Sequence, residues 1–324
     1  MARSMSTRYG GVHASYLPRV SGFRGLRALW TVTATVLAVT SAVVLAACAA
    51  GPDNGGGQQR GDLAETVREF ASGLHADARY RAPDTAERQT MTEGIQLLEH
   101  GDRDRAADTL RPLGFSVTVG TDPATGRKFG LAVNEPHSER GWGLYLVDLS
   151  KPIRVVLEVP HPNFDMHTEE IGLALFRAVP GAILAVSGTH RLVMGGAGDV
   201  AHRTDSMFHA VVTAFAEHGL PQVQLHGFDN MSLPNSDAVV SPGATDAARL
   251  VRAVASQLDS AGLRVCRAWQ SDCGKLEGTI NKQGEAAARL GAVFVHVELN
   301  GSVREDRGRW PTVVRALAAA DLTG

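Results

Sequence analysis

The second half of this chain predicts an α/β fold, a mostly parallel sheet with helices on both faces. Two observations predict it. From residue 155 onward, short apolar runs alternate with amphipathic helical segments, the pattern of parallel strands joined by crossover helices. Three of the runs, residues 155–161, 221–226 and 292–298, also end in His or Glu. A buried strand that stops on such a residue presents it at the edge of the sheet. In open α/β sheets the carboxyl edge is where ligands bind.

The elements follow in chain order. Arg3, Arg8, Arg19, Arg24 and Arg27 make a positive leader, and residues 31–47 are uncharged and rich in Val, Leu and Ala. That stretch is shorter than the ~20 apolar residues of a membrane span and ends on small residues, as a cleaved signal does. Leu45-Ala46-Ala47-Cys48 resembles the lipobox of bacterial lipoproteins. The resemblance implies a signal peptide over residues 1–47 and a lipidated Cys48. The protein would then stand on the extracytoplasmic face of the cell membrane, held by its acyl chains. Residues 48–61, rich in Gly and otherwise mostly small or polar, read as a flexible tether.

Residues 62–113 read as a helical cap, since Leu63, Val67, Phe70, Ala71 and Leu74 recur at helical spacing. Further short helices are expected at 92–98 and 106–110. Residues 115–119, 128–134 and 142–148 alternate as strands, with a turn signal at Asp122-Pro123-Ala124-Thr125-Gly126 between the first two. They predict an antiparallel meander leading into the strand that ends at His161. Residues 114–324 make the α/β domain. In it, Thr168 is expected to cap a helix to about Ala178, and residues 182–186 to form a strand. A helix over 206–218, strands at 221–226 and 238–240, and a long helix over 245–261 follow. The strand 263–268, the helix 281–290, the strand 292–298 and the helix 310–320 complete the domain.

The chain has 324 residues, 44% apolar and 20% charged, ample for a core. A net charge of −2 gives no reason to expect a nucleic-acid partner. With Cys48 assigned to lipid, two of the 3 cysteines, Cys266 and Cys273, remain, and export favours a disulfide between them. The Gly-rich Gly195-Gly196-Ala197-Gly198 lacks a phosphate-loop Lys and does not fit a dinucleotide motif.

Two imidazoles and a carboxylate are the donor set of a catalytic zinc ion. His161 and His226 are the candidate imidazoles, and Glu169 or Glu170, at the start of the next helix, the candidate carboxylate. Asp165 is read as orienting His161 through its other ring N–H. Glu298 lies in an otherwise apolar run, where a carboxyl must have a partner or a shifted pKa. Beside a metal-bound water it would serve as general base and then acid. Arg191 could hold a substrate carboxylate. His202 could polarise a carbonyl or replace His226 as third ligand. There is no Gly-x-Ser-x-Gly elbow and no His-Glu-x-x-His.

The order His161, then Glu169 or Glu170, then His226 at a strand end, then Glu298 on a late strand resembles the zinc amidohydrolases of the phosphorylase/hydrolase-like fold. That group includes N-acetylmuramoyl-L-alanine amidases, N-formylglutamate amidohydrolases and zinc carboxypeptidases. The likeness covers about residues 155–320. The amidase motif Gly-His-Gly-Gly is Pro-His-Pro-Asn here, and the carboxypeptidase His-x-x-Glu spacing is absent. The resemblance implies a lipid-anchored hydrolase that uses Zn²⁺ to cleave an amide bond in a peptidoglycan-derived or peptide-like substrate. The alternative is a surface lipoprotein that binds a ligand or metal without turnover.

Overall fold

The computed structural model describes residues 62–134 and 138–323. The signal peptide, Cys48 and the tether lie outside the described residues. Among those described, no helix is long and apolar enough to cross a membrane.

One sheet holds the strands β1 (Phe115–Thr121), β2 (Lys128–Asn134), β3 (Leu144–Asp148), β4 (Val155–Val159), β5 (Ala182–Val186), β6 (Gln222–Phe228), β7 (Ala238–Ser241), β8 (Val265–Arg267) and β9 (Phe294–Asn300). Their order is β1-β2-β3-β5-β4-β6-β9-β7-β8. The sheet is mixed, which corrects the mostly parallel expectation. The pairs β5-β4, β4-β6, β6-β9 and β7-β8 are parallel, while β1-β2, β2-β3, β3-β5 and β7-β9 are antiparallel. Connection length explains the reversals. A parallel crossover needs about a dozen residues or more, and only residues 149–154 join β3 to β4 and 229–237 join β6 to β7. Without a crossover helix the chain must run back. The meander therefore joins the sheet through β5, and β4 lies inside it.

Alternation sorts the side chains of β4, β6 and β9 onto two faces. Leu157, Val159, Val223, Leu225, Val295 and Val297 pack against α1 (Leu63–Ser72), α4 (Thr168–Ala178), α6 (Arg249–Ser260) and α9 (Trp310–Ala318). Each such fully buried side chain contributes about 1.5–3 kcal/mol. The other face packs Val156, Ile183 and Ala185 against α2 (Thr85–Glu99), α3 (Arg103–Leu110) and α5 (Met207–Glu217). The helices of residues 62–113 are thus divided between the two faces. Two further helices, α7 (Lys282–Leu290) and α8 (Gly301–Arg304), flank β9.

Helix starts depend on caps. α2 begins at Thr85 because Asp84 and Glu87 form a reciprocal capping box. α4 is capped by His167 in the left-handed region rather than by Thr168, with no side-chain cap bond. α6 begins at Arg249, later than its apolar pattern suggests. Cys266 and Cys273 form the expected disulfide.

Candidate metal centre

Three side chains meet above the carboxyl ends of β4 and β6. His161 follows β4 and Pro160, and is 1% exposed. His226 lies within β6, which runs on to Phe228. Asp165 comes from the loop after β4, where Asn163 (φ 57°) and His167 (φ 70°) both sit in the left-handed region. Such backbone costs free energy and clusters at functional sites. Here it turns the chain so that Asp165 points inward.

Asp165 Oδ2 is 3.2 Å from Nδ1 of His161 and 3.2 Å from Nδ1 of His226. The opposite ring nitrogens are already committed. His161 Nε2 donates to Asp199 Oδ1 at 2.8 Å, and His226 Nε2 donates to Gln224 Oε1 at 2.6 Å. A neutral imidazole that donates at Nε2 carries its lone pair at Nδ1. Nδ1 of each ring thus faces one carboxylate oxygen, and His161, Asp165 and His226 can each offer a ligand atom within 4.8 Å of the others. Ligands about 2 Å from a tetrahedral ion stand roughly 3.3 Å apart. The residues present fit a zinc ion.

Titration separates the two rings. Burial, helped by His296, pushes His226 down to about 4, so its ring is neutral at pH 7. Burial pushes Asp165 up, but His161 and His226 outweigh it and hold the carboxylate well below its usual range. Burial also works against a charged His161, yet Asp165 and Asp199 raise it above the ordinary histidine value.

Glu169 and Glu170 do not join this group. They form a separate one with His167, which corrects the choice of carboxylate. Glu170 is taken by the guanidinium of Arg307 at 2.9 and 3.0 Å and by Arg68 at 3.4 Å. Glu169 is buried on its own, with Oε2 unpartnered among the described residues. Asp165, read as an orienting group, stands where the third ligand would.

The orienting carboxylate is Asp199, to which the sequence reading assigned no role. Its Oδ1 accepts from His161 and lies 3.0 Å from His202 Nδ1, and Oδ2 accepts from Arg191 Nε at 3.2 Å. Burial pushes Asp199 up, but those hydrogen bonds and the Arg191 charge hold it far below the usual carboxylate range. A signal for it lay in Gly198. A Cβ there would stand 2.2 Å from the His190 carbonyl, so only Gly brings the loop in this close. Arg191 and His202 thus sit beside the group through Asp199, with side chains 31% and 38% exposed. His202 is not a member of the group that His161, Asp165 and His226 form.

Glu298 of β9 pairs in register with His226 of β6, so the two side chains share a face. Its Oε1 lies 3.3 Å from His296 Nε2, and its buried Oε2 has no hydrogen-bond partner among the described residues. Glu298 makes no salt bridge to Arg304, the nearest arginine in sequence. Arg304 donates instead to the carbonyls of Leu299, Met166 and Phe228. It is also what occupies the space beside Gly227, where a Cβ would stand 2.3 Å from its Nε.

A cavity of about 720 Å³ opens along the same sheet edge, lined by residues that include Phe70, His75, Arg79, Asn134 and His190. His190 links it to the centre, since its ring packs on Phe164 (centroids 5.6 Å apart) and Phe164 on His161 (6.4 Å).

No family model matches this chain, and no curated protein matches it. Several solved structures are similar to it in part. A bacteriophage poly-gamma-glutamate hydrolase is 17% identical, with a TM-score of 0.38 over 52% of this chain and 83% of its own. N-formylglutamate amidohydrolase from Ralstonia eutropha is 16% identical, with a TM-score of 0.38 over 53% of this chain and 92% of its own. An aspartoacylase family protein from Mesorhizobium loti is 11% identical, with a TM-score of 0.35 over 63% of this chain and 67% of its own.

Proposed function

We propose that this protein is a zinc-dependent hydrolase that cleaves an amide bond in a peptide-like or peptidoglycan-derived substrate. One observation carries the reading: Nδ1 of His161 and Nδ1 of His226 each stand 3.2 Å from one Asp165 oxygen, close to the separation of tetrahedral zinc ligands, with both Nε2 atoms donating elsewhere. A bound zinc ion would supply Lewis-acid polarisation and a water of lowered pKa.

The remaining work falls to the chain. Asp199 holds His161 through its Nε2 proton, and Gln224 holds His226 in the same way. Glu298 Oε2 takes the proton from the attacking water and passes it to the leaving nitrogen. A carbon–oxygen bond forms, the carbon–nitrogen bond breaks, and the products are a carboxylic acid and an amine. Arg191 and His202, partly exposed at the mouth, bind a substrate carboxylate or the developing oxyanion. The cavity beside His190 receives one side of the scissile bond. Cys48 carries the lipid that places the domain at the outer membrane face, within reach of cell-wall material.

The test is the zinc content of the purified protein together with turnover of N-acyl amino acids and peptidoglycan fragments. Wild type is expected to hold one zinc per chain, and His161→Ala and His226→Ala to hold none. Absence of stoichiometric metal in wild type refutes the reading. Zinc binding without turnover, unaffected by Glu298→Gln, would instead indicate a binding lipoprotein. Labelling with a fatty-acid probe, lost in Cys48→Ser, tests the anchor.

A further inference from the structure

We propose that Asn281 and Gln224 are positioning residues that set the imidazole tautomer of His226, fixing a proton at Nε2 and leaving Nδ1 as the nitrogen turned toward Asp165. The purpose of this device rests on the metal-centre reading above, whereas its geometry does not.

The polarity of the network is imposed by the backbone at two ends. At one end Asn281 caps α7, its Oδ1 accepting the N–H groups of Gln283 (3.0 Å) and Gly284 (3.1 Å). An oxygen held by two main-chain donors leaves Nδ2 as the group that faces Gln224, and Nδ2 donates to Gln224 Oε1. At the other end Gln283 Nε2 donates to the Val200 carbonyl at 3.0 Å. Its Oε1 is left to accept from Gln224 Nε2 at 3.3 Å.

Both ends orient the Gln224 amide the same way. Its oxygen faces Asn281 and His226, and its nitrogen faces Gln283 and, at 2.6 Å, Glu158 Oε2. An amide oxygen has no hydrogen to give. The contact of 2.6 Å to His226 Nε2 therefore requires the proton on the imidazole. With a proton held at Nε2, Nδ1, 3.2 Å from Asp165 Oδ2, is the nitrogen left to a metal. Gln224 and Gln283 are 0% exposed and Asn281 2%, so bulk water cannot replace a lost member. A helix cap on α7 thus determines which nitrogen of a strand residue on β6 is free.

Nitrogen-15 NMR of histidine-labelled, metal-free wild type, with His226 assigned from the spectrum of His226→Asn, reads the tautomer directly. The Nε2–H form is expected, and a dominant Nδ1–H form or an even mixture overturns the proposal. The second test is Asn281→Asp, which keeps both cap bonds but removes the donor and repels Gln224 Oε1. Chelator competition is expected to show zinc binding weakened by roughly 10–100-fold, with circular dichroism like wild type. Unchanged zinc affinity in this variant overturns the proposal. Should Asn281→Asp fail to fold, the wild-type tautomer decides alone. Should wild type bind no zinc, the metal-centre reading fails while the tautomer still decides this inference.

Discussion

His161 and His167 stand in one loop, each facing carboxylates, yet the two groups satisfy their charges in opposite ways. Around His161 the hydrogen-bond partners of the Asp165 side chain among the described residues are imidazole nitrogens, at 3.2 Å, and both rings use their other nitrogen elsewhere. Around His167, Glu170 is held by the His167 Nδ1 at 3.0 Å and by two arginines. The His167 ring packs on Trp310, with centroids 5.5 Å apart. A dication at the second group would meet two guanidinium ions. At the first it would meet two imidazoles and a carboxylate with no arginine on it. Clustered ligand-type residues are therefore a weak signal, and the partner of each ligand's second polar atom decides between a metal centre and a structural tie.

The largest effect that could break this comparison is on metal binding. Asp165→Asn is expected to abolish stoichiometric zinc, a loss beyond the roughly 100-fold expected for an outer partner. Glu169→Gln and Glu170→Gln should leave zinc content at the wild-type level. Zinc retained by Asp165→Asn but lost from Glu170→Gln would reverse the assignment. Next in size, Glu298→Gln should keep its zinc while kcat for amide hydrolysis falls by roughly 10²–10⁴-fold. A kcat like that of wild type would remove Glu298 from the chemistry.

Stability against pH should separate the two regions by sign. Glu158, behind His226, is pushed up to about 8 by burial, offset in part by the Gln224 hydrogen bond. A raised folded-state pKa contributes stability below the ordinary carboxylate range that is lost as pH rises through about 8. Glu158→Gln should therefore gain on wild type as pH rises, by about 1–3 kcal/mol. Burial pushes Glu170 up too, but Arg307 and His167 outweigh it and lower its pKa. Its contribution is present at neutral pH and is lost as pH falls into the acid range. Glu170→Gln should cost about 1 kcal/mol at pH 7, since the arginines are well exposed. The difference should vanish on acidification. Urea titrations at several pH values measure both, and slopes of the same sign would show that the two regions are not distinguished in this way.

Much of the architecture was legible in the sequence because periodicity reports which side of a segment is buried. That is why the strands ending near His161, His226 and Glu298 and the helices α5, α7 and α9 were readable, while the Cys266–Cys273 pair was readable from the cysteine count. Strand direction was less legible. It depends on whether a connection is long enough for a crossover, as at β3–β4 and β6–β7.

By itself, the sequence determined that a pair of histidines and a late glutamate would stand at the carboxyl edge of a sheet. Only the tertiary structure decided which carboxylate joins them. Asp165 turns inward and Glu170 outward because Asn163 and His167 adopt left-handed backbone and because Arg307 waits on a distant segment. The same holds for Asp199 on His161 and Asn281 on Gln224, contacts between segments far apart in the chain. Local pattern encodes burial. Hydrogen-bond partnership at a site is set by where separate segments arrive, and no periodicity within one segment carries that information.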